Sequence, residues 1–137
     1  MDVMFAYGLV FLVSISKGYN VLMVRYLSDR KTSTMETAIK QMLSSYSKYN
    51  VKITMIVCDG EGAISALKAS IEGLGVQIEQ SSKNEHVATI ERAIRQIKER
   101  VRGFINTLPF TATKEMAIYL VYYLVSMINS VPRSTSV

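Results

Sequence analysis

The order of apolar patterns along the chain limits the folds that it can adopt. Three β-type runs come first, at residues 3–6, 9–16 and 21–27, separated by Tyr7-Gly8 and by the turn sequence KGYN. A helical pattern, the strand KITMIVC, a second helical pattern, the short strand GVQIE and two further helical patterns follow. The sequence therefore predicts an α/β (α+β) fold, a five-stranded mixed sheet flanked by helices in the order βββαβαβαα.

Capping residues set the expected helix limits. Ser33 and Glu36 have capping-box spacing before a helix that reaches about Lys48. Its apolar face is predicted to contain Met35, Ala38, Ile39, Met42, Leu43 and Tyr46. Gly73 closes a second helix over residues 62–73.

The last two helices are delimited in the same way. Ser82 and Glu85 open a third helix that runs to about Thr107, and Thr113 caps a fourth that runs to about Val131. In the fourth helix, the residues expected in the core are Met116, Leu120, Tyr123, Leu124 and Met127.

The third helix places one acid among several cations. At 100° per residue, one stripe contains Ile90, Ile94, Ile97, Val101 and Ile105. A second stripe, about a quarter turn away, contains Glu91, Arg95, Lys98 and Arg102. Taken alone, this pattern favours an amphipathic helix in which Glu91 pairs with Arg95, worth about 0.2–0.5 kcal/mol. The alternative is that Glu91 belongs to a functional site.

Length and composition indicate one domain without a membrane span. A chain of 137 residues can bury about two thirds of its unfolded surface without disulfides or metals. The single Cys58 is expected in the core and excludes an internal disulfide. The apolar stretches at 8–16 and 116–130 are shorter than the ~20 residues that a spanning helix needs. The net charge of +5 favours polyanionic partners.

Three carboxylates from separate elements are candidates for one site. Asp2 lies in the first strand, Asp59 directly follows the fourth, and Glu91 lies one to two turns into the third helix. If the first and fourth strands are neighbours, these carboxylates meet at one edge, where hard oxygen donors suit Mg²⁺ or Mn²⁺. His86 has no second His or Cys nearby, so we do not expect a zinc site.

The segments around these carboxylates resemble a known family. DVMFAYGLVFLVSIS is similar to the strand and hairpin around its first aspartate, IVCDGEGA to the turn around its second, and HVATIERAIRQIKERVR followed by LPF to the glutamate helix. The family is the catalytic core of copia-type retroelement integrases, in the ribonuclease H-like superfamily with an Asp-Asp-Glu triad. The resemblance spans nearly all of residues 1–137.

The resemblance implies DNA integration, with 3′-end processing and strand transfer by a polynucleotidyl transferase and endonuclease. Asp2 would bridge two Mg²⁺ or Mn²⁺ ions, with Asp59 and Glu91 holding one each. The expected DNA contacts are Arg95, Lys98 and Arg102. The expected partners are the element ends, target DNA and other copies of the chain, and the location is intracellular, in the nucleus.

The sequence also departs from the family. The stretch between Asp59 and Glu91 is shorter than in many integrases, and residues 1–137 include neither the zinc-binding domain nor the basic domain of the family. We therefore expect a core fragment of a longer polyprotein. Asp2 also fits a frayed end, and Asp59 before Gly60 also fits a turn.

Two alternative functions stay open. A ribonuclease H acting on RNA–DNA hybrids would use Glu36 as an additional carboxylate. A basic DNA-binding module from a decayed element would bind DNA without metal.

Overall fold

The computed structural model describes residues 1–58, 62–80 and 86–130. The elements in these ranges follow the predicted order along the chain. They are β1 Asp2–Ala6, β2 Leu9–Ile15, β3 Leu22–Leu27, α1 Thr32–Lys48, β4 Met55–Cys58, α2 Gly62–Glu72, β5 Gln77–Gln80, α3 His86–Asn106 and α4 Lys114–Ser130. The capping box assigned to Ser82 and Glu85 lies outside the described residues. Within the described ranges, no helix is both long enough and apolar enough to cross a membrane.

The described strands form two sheets, so the prediction of one five-stranded sheet is wrong in this respect. β1, β2 and β3 form an antiparallel meander, whereas β4 and β5 form a parallel pair. The two sheets are linked where the Met1 amino group donates a hydrogen bond to the Val57 carbonyl at 3.0 Å. This contact joins the start of β1 to the end of β4, although the two strands do not pair in a common sheet.

Side-chain alternation divides the core of the meander into two layers. Met4, Phe11 and Val13 face one side and pack with residues of α3 and α4. Val3 and Leu12 face the other side and pack with residues of α1, α2, β4 and β5, including Cys58. The helices therefore cover opposite faces of the meander.

α1 has the predicted apolar face but a different start. Met35, Ala38, Ile39, Met42 and Tyr46 are buried, and Leu43 is partly buried. The helix begins at Thr32 after Lys31, whose side chain makes no capping bond, so the predicted Ser33 and Glu36 capping box is wrong. Asp29 organises this turn, because its carboxylate accepts hydrogen bonds from the Lys31 N–H and the Thr34 hydroxyl.

α4 buries a different face from the predicted one. Its buried residues are Ala117, Val121, Leu124, Val125 and Ile128. Leu124 is thus core as expected and Leu120 is partly buried, but Met116, Tyr123 and Met127 are 41%, 56% and 40% exposed. Residues 116–130 contain no charge, so no strongly polar face distinguishes the inside from the outside of this helix.

Polar contacts with β3 determine which face of α4 is buried. Thr113 caps the helix as predicted, accepting a hydrogen bond from the Met116 N–H at 3.2 Å. The Asn129 amide exchanges two hydrogen bonds with the Leu22 backbone, at 2.9 Å and 2.7 Å. The Tyr122 hydroxyl accepts a bond from the Tyr26 N–H at 2.7 Å. These contacts direct the smaller apolar residues of α4 toward the sheet.

A buried tyrosine joins α1 to the meander. The Tyr46 hydroxyl donates to the Val21 carbonyl at 3.2 Å and lies 3.0 Å from the Ser14 hydroxyl. We expect Tyr46→Phe to lower the free energy of unfolding by about 1 kcal/mol, because Ser14 loses its partner in a buried position. Denaturant unfolding measures this loss. Tyr49→Phe, at the exposed residue that directly follows this helix, is the control and should leave stability unchanged. Equal effects would contradict the assigned bonds.

Candidate metal and nucleic-acid site

Asp2 lies on the face of β1 that α3 covers. It pairs with Val13 of β2 and, by strand alternation, shares a face with Met4. Both Val13 and Met4 pack with residues of α3. The Asp2 side chain is half-buried, and its Oδ1 accepts a hydrogen bond from the Val3 N–H at 2.8 Å.

The end of β4 lies beside Asp2. Burial lowers the pKa of the Met1 amino group, while electrostatic interactions with Asp2 and Cys58 raise it, so all three groups are close together. Cys58 is the last residue of β4 and directly precedes Asp59 in the sequence. Asp59 itself lies outside the described residues.

Glu91 belongs to α3, the helix that packs on the same face of β1 as Asp2. The C-terminal part of α3 lies over the β1–β2 turn, where Ile105 lines a cavity together with Tyr7 and Leu9. Ile90, near the other end of the helix, packs in the same layer as Met4. The helix extends about 21 Å between Glu91 and Ile105, at 1.5 Å per residue. Glu91 therefore lies about 21 Å along the helix from the cavity at the β1–β2 turn.

The apolar stripe predicted for α3 is confirmed. Ile90, Ile97 and Val101 are buried, and Ile94 and Ile105 pack partly buried against the same core. Each of them faces β1, β2 or α4 in the layer described above. Glu91, beside Ile90 in the sequence, is exposed at the margin of this packed face.

The cationic stripe of α3 is available to a ligand. Glu91 and Arg95 do not form the expected ion pair. In the described part of the chain, the ion pair within 4.0 Å joins Lys40 to Glu36. Arg95 and Arg102 are exposed and Lys98 is half-buried. None of these three cations is neutralised by a described carboxylate, which favours binding of an anion.

Glu36 is in a different environment from Asp2. It belongs to α1, on the opposite side of the meander from α3. Lys40 and the Ser70 hydroxyl bind its carboxylate and lower its pKa. Glu36 therefore tethers α1 to α2 and lies away from the layer that contains Asp2.

Sequence reasoning missed a cavity at the far end of α3. It has a volume of about 550 Å³ and lies between the β1–β2 turn, the end of α3 and the start of α4. Tyr7 and Phe110 line it and are 51% and 53% exposed. Tyr7-Gly8 indicated a turn, but no sequence pattern connects that turn with residues 105–117.

Two of the three predicted metal ligands are described, Asp2 and Glu91. Among described residues there is no group of three His, Cys, Asp or Glu side chains that could hold a metal ion. Asp59, the third predicted ligand, lies outside those residues. The proposed donor set is hard carboxylate oxygen only, which suits Mg²⁺ or Mn²⁺.

The fold is similar to that of retroviral integrase catalytic cores. The catalytic core domain of BIV integrase has a TM-score of 0.75 and 17% identity, over 97% of this chain and 84% of that chain. The HTLV-2 integrase catalytic core domain, in a trimeric form in complex with magnesium, has a TM-score of 0.77 and 13% identity, over 98% of this chain and 86% of that chain. A simian T-cell lymphotropic virus intasome in complex with PP2A regulatory subunit B56 gamma has a TM-score of 0.65 and 10% identity, over 98% of this chain and 54% of that chain.

These likenesses define the fold class, a mixed α/β, ribonuclease H-like fold of the integrase catalytic core type. The integrase-core fold predicted from the sequence segments is therefore confirmed. No protein-family model matches the sequence, and no curated protein matches it. The identities, at or below 17%, carry the fold and no particular activity.

Proposed function

We propose that this chain is the catalytic core of a copia-type retroelement integrase that processes DNA 3′ ends and joins them to target DNA. What supports the proposal is that the start of β1, with Asp2, lies beside the β4 end that leads to Asp59, and that α3, which carries Glu91, packs on the same face of β1 as Asp2. That end of the molecule would be the catalytic centre. The protein would act on chromosomal DNA inside the cell, in the nucleus.

The carboxylates fit divalent metal ions. Asp2 is held in place by its bond from the Val3 N–H, and Glu91 has no ion pair with a described residue. Asp2, Asp59 and Glu91 would hold two Mg²⁺ or Mn²⁺ ions. When bound, two such ions activate the attacking oxygen and stabilise the leaving oxygen of a phosphodiester. Magnesium in the HTLV-2 complex supports this choice of metal.

The cations of α3 would orient the DNA. Glu91, Arg95, Lys98 and Arg102 follow one another along one helix face, so a phosphate backbone on this stripe leads to the carboxylates. Lysine and arginine contacts of this kind position nucleic acid without reading its sequence. The intasome among the similar structures supports DNA as the partner.

Salt dependence tests these contacts. We expect Arg95→Ala, Lys98→Ala and Arg102→Ala each to reduce the slope of log affinity against log salt by about 0.9 on duplex DNA, because each removes one phosphate contact. Fluorescence anisotropy over a salt series measures the slope. Lys48→Ala, at the exposed end of α1 in the other layer, is the matched control. An unchanged slope in all three variants would exclude this stripe as the DNA site.

The exposed stripe of α4 supports self-association. Met116, Tyr119, Tyr123 and Met127 lie within an arc of about 80° on the helix. The residue types along this stripe, Met-Tyr-Tyr-Met, are the same in both directions, and their spacing is nearly so. A two-fold antiparallel pairing would therefore place Tyr119 against Tyr123 of a second copy. These four side chains supply roughly half of the ~800 Å² per partner of a standard interface, and flanking residues would supply the rest.

Charge exchange tests this pairing. We expect a dimer in sedimentation of the native chain and a dissociation constant at least about 30-fold higher in Tyr119→Lys or Tyr123→Glu, as for central aromatic anchors. Mixing the two variants should restore the dimer, since lysine then faces glutamate. Tyr19→Lys, on an exposed turn, is the control. A native monomer at high concentration, or no recovery on mixing, would rule out this arrangement.

The two alternatives predict different behaviour. The ribonuclease H alternative required Glu36 near the carboxylates, and its bonds to Lys40 and Ser70 in the opposite layer weigh against that role. Cleavage of an RNA–DNA hybrid but not of DNA would favour it. The decayed module would bind DNA equally well with and without Mn²⁺. A measurement of metal-dependent DNA joining by the native chain and by its carboxylate variants would distinguish the three functions.

A further inference from the structure

The cavity at the far end of α3 has the size and lining of a binding site for a flat aromatic group. Its volume of about 550 Å³ lies within the ~300–1,000 Å³ of ordinary ligand sites. Tyr7 and Phe110 present exposed rings to it, and Ile105 and Ala117 add aliphatic wall. Lys114 is the cation in its lining, with its ammonium 5.5 Å from the centre of the Tyr26 ring.

The backbone at Tyr7 is held in an uncommon conformation. Tyr7 has φ of 53° and Gly8 has φ of 72°, as in hairpin turns that favour Asn-Gly. A bulky aromatic residue is disfavoured in this left-handed region. Its ring is nevertheless half-exposed rather than buried in the core, so core packing does not account for the choice of tyrosine. Backbone strain of this kind clusters at functional sites.

The cavity continues the cationic stripe of α3. Arg102 ends the stripe, and Ile105, one helical turn further on, lines the cavity. The distance along the helix from Glu91 to Ile105 is about 21 Å. A stacked strand rising 3.4 Å per nucleotide covers this distance in about six nucleotides.

We propose that this cavity binds an unpaired base of the DNA strand that lies along the α3 stripe, about six nucleotides from the attacked phosphate. The inference rests on the proposed function, since it uses the same strand and the same carboxylates as reference points. The base stacks between Tyr7 and Phe110, and Lys114 meets the adjoining phosphate. Stacking of this kind accepts any base, because every base has a π face. The substrate class is therefore a DNA end with an unpaired or displaced strand.

Fluorescence of an unpaired 2-aminopurine tests this site. The probe is placed three, six or nine nucleotides from the reacting end of a DNA duplex with one displaced strand. We expect quenching on binding to be largest at the position near six. Tyr7→Asn should abolish this quenching and weaken binding of the displaced strand roughly 5- to 100-fold. Asparagine tolerates the left-handed conformation, so this variant removes the ring without disrupting the turn.

The controls separate the cavity from the proposed function. Phe110→Ala should behave like Tyr7→Asn, whereas Tyr49→Ala, at another exposed tyrosine, should retain native quenching. Salt-dependent DNA binding with equal fluorescence at all three positions would overturn the cavity inference and leave the integrase proposal standing. Absence of salt-dependent DNA binding would overturn both.

Discussion

Asp2→Asn, Asp59→Asn and Glu91→Gln are each expected to lower Mn²⁺-dependent joining of labelled DNA ends by more than about 100-fold. Replacement of even an outer-shell partner of a metal site commonly costs 10–100-fold, and these carboxylates would bind the ions directly. The amide variants keep the shape of the side chain but remove its negative charge. Calorimetric titration with Mn²⁺ should show the same loss of binding in all three variants.

Glu99→Gln is the matched control for Glu91→Gln. Glu99 is an exposed glutamate two turns further along α3, rotated by about 80° from Glu91. Its replacement removes the same charge from the same helix, so it should leave metal binding and joining unchanged. Full activity in any of the three carboxylate variants, or an equal loss in Glu99→Gln, would contradict the proposed site.

Phe11→Ala is expected to lower the free energy of unfolding by about 3–5 kcal/mol, the usual range for a fully buried phenylalanine. Phe11 is 0% exposed in the centre of β2, and its ring meets Tyr26 edge to face with centroids 5.7 Å apart. Chemical denaturation with both native and variant chains measures the change. Since domains of this kind are typically stable by about 5–15 kcal/mol, this single change would remove a large share.

Phe104→Ala provides the control for that measurement. Phe104 lies in α3 and is 43% exposed, so the same substitution removes the same atoms without opening a core cavity. Its effect should be below about 1 kcal/mol, within the range of surface changes. Similar losses in both variants would mean that Phe11 does not occupy the central position in the packing assigned to it.

Local patterns were sufficient to predict the elements. The apolar runs of β1 and β2 and the 3.6-residue period of α1 and α3 are properties of single segments, and Ile97 and Met42 are buried as the helical period requires. The sheet grouping could not be obtained in the same way. It depends on how the start of β1 meets the end of β4. That contact joins Met1 to Val57, which are 56 positions apart in the sequence.

The errors have similar causes. α4 is apolar all round, so the choice of its buried face is made by Asn129 and Tyr122, whose partners lie on β3. Glu36 had capping-box spacing, but α1 begins earlier, at Thr32, and the Glu36 carboxylate binds Lys40 and Ser70 instead. The carboxylates and cations of the candidate site stay predictions from the sequence, whereas the cavity beside Tyr7, which the sequence did not indicate, is formed by three separated segments.

The bonds between α4 and β3 also govern how the protein can aggregate. β3 is the outer strand of the meander, and the unpaired backbone groups of such a strand attract strands of other molecules. Asn129 occupies both backbone groups of Leu22, and Tyr122 occupies the N–H of Tyr26. A foreign strand would have to displace these side chains before it could add to the sheet. At Leu22 and Tyr26, the bonds that hold α4 on the sheet therefore also block the addition of a further strand.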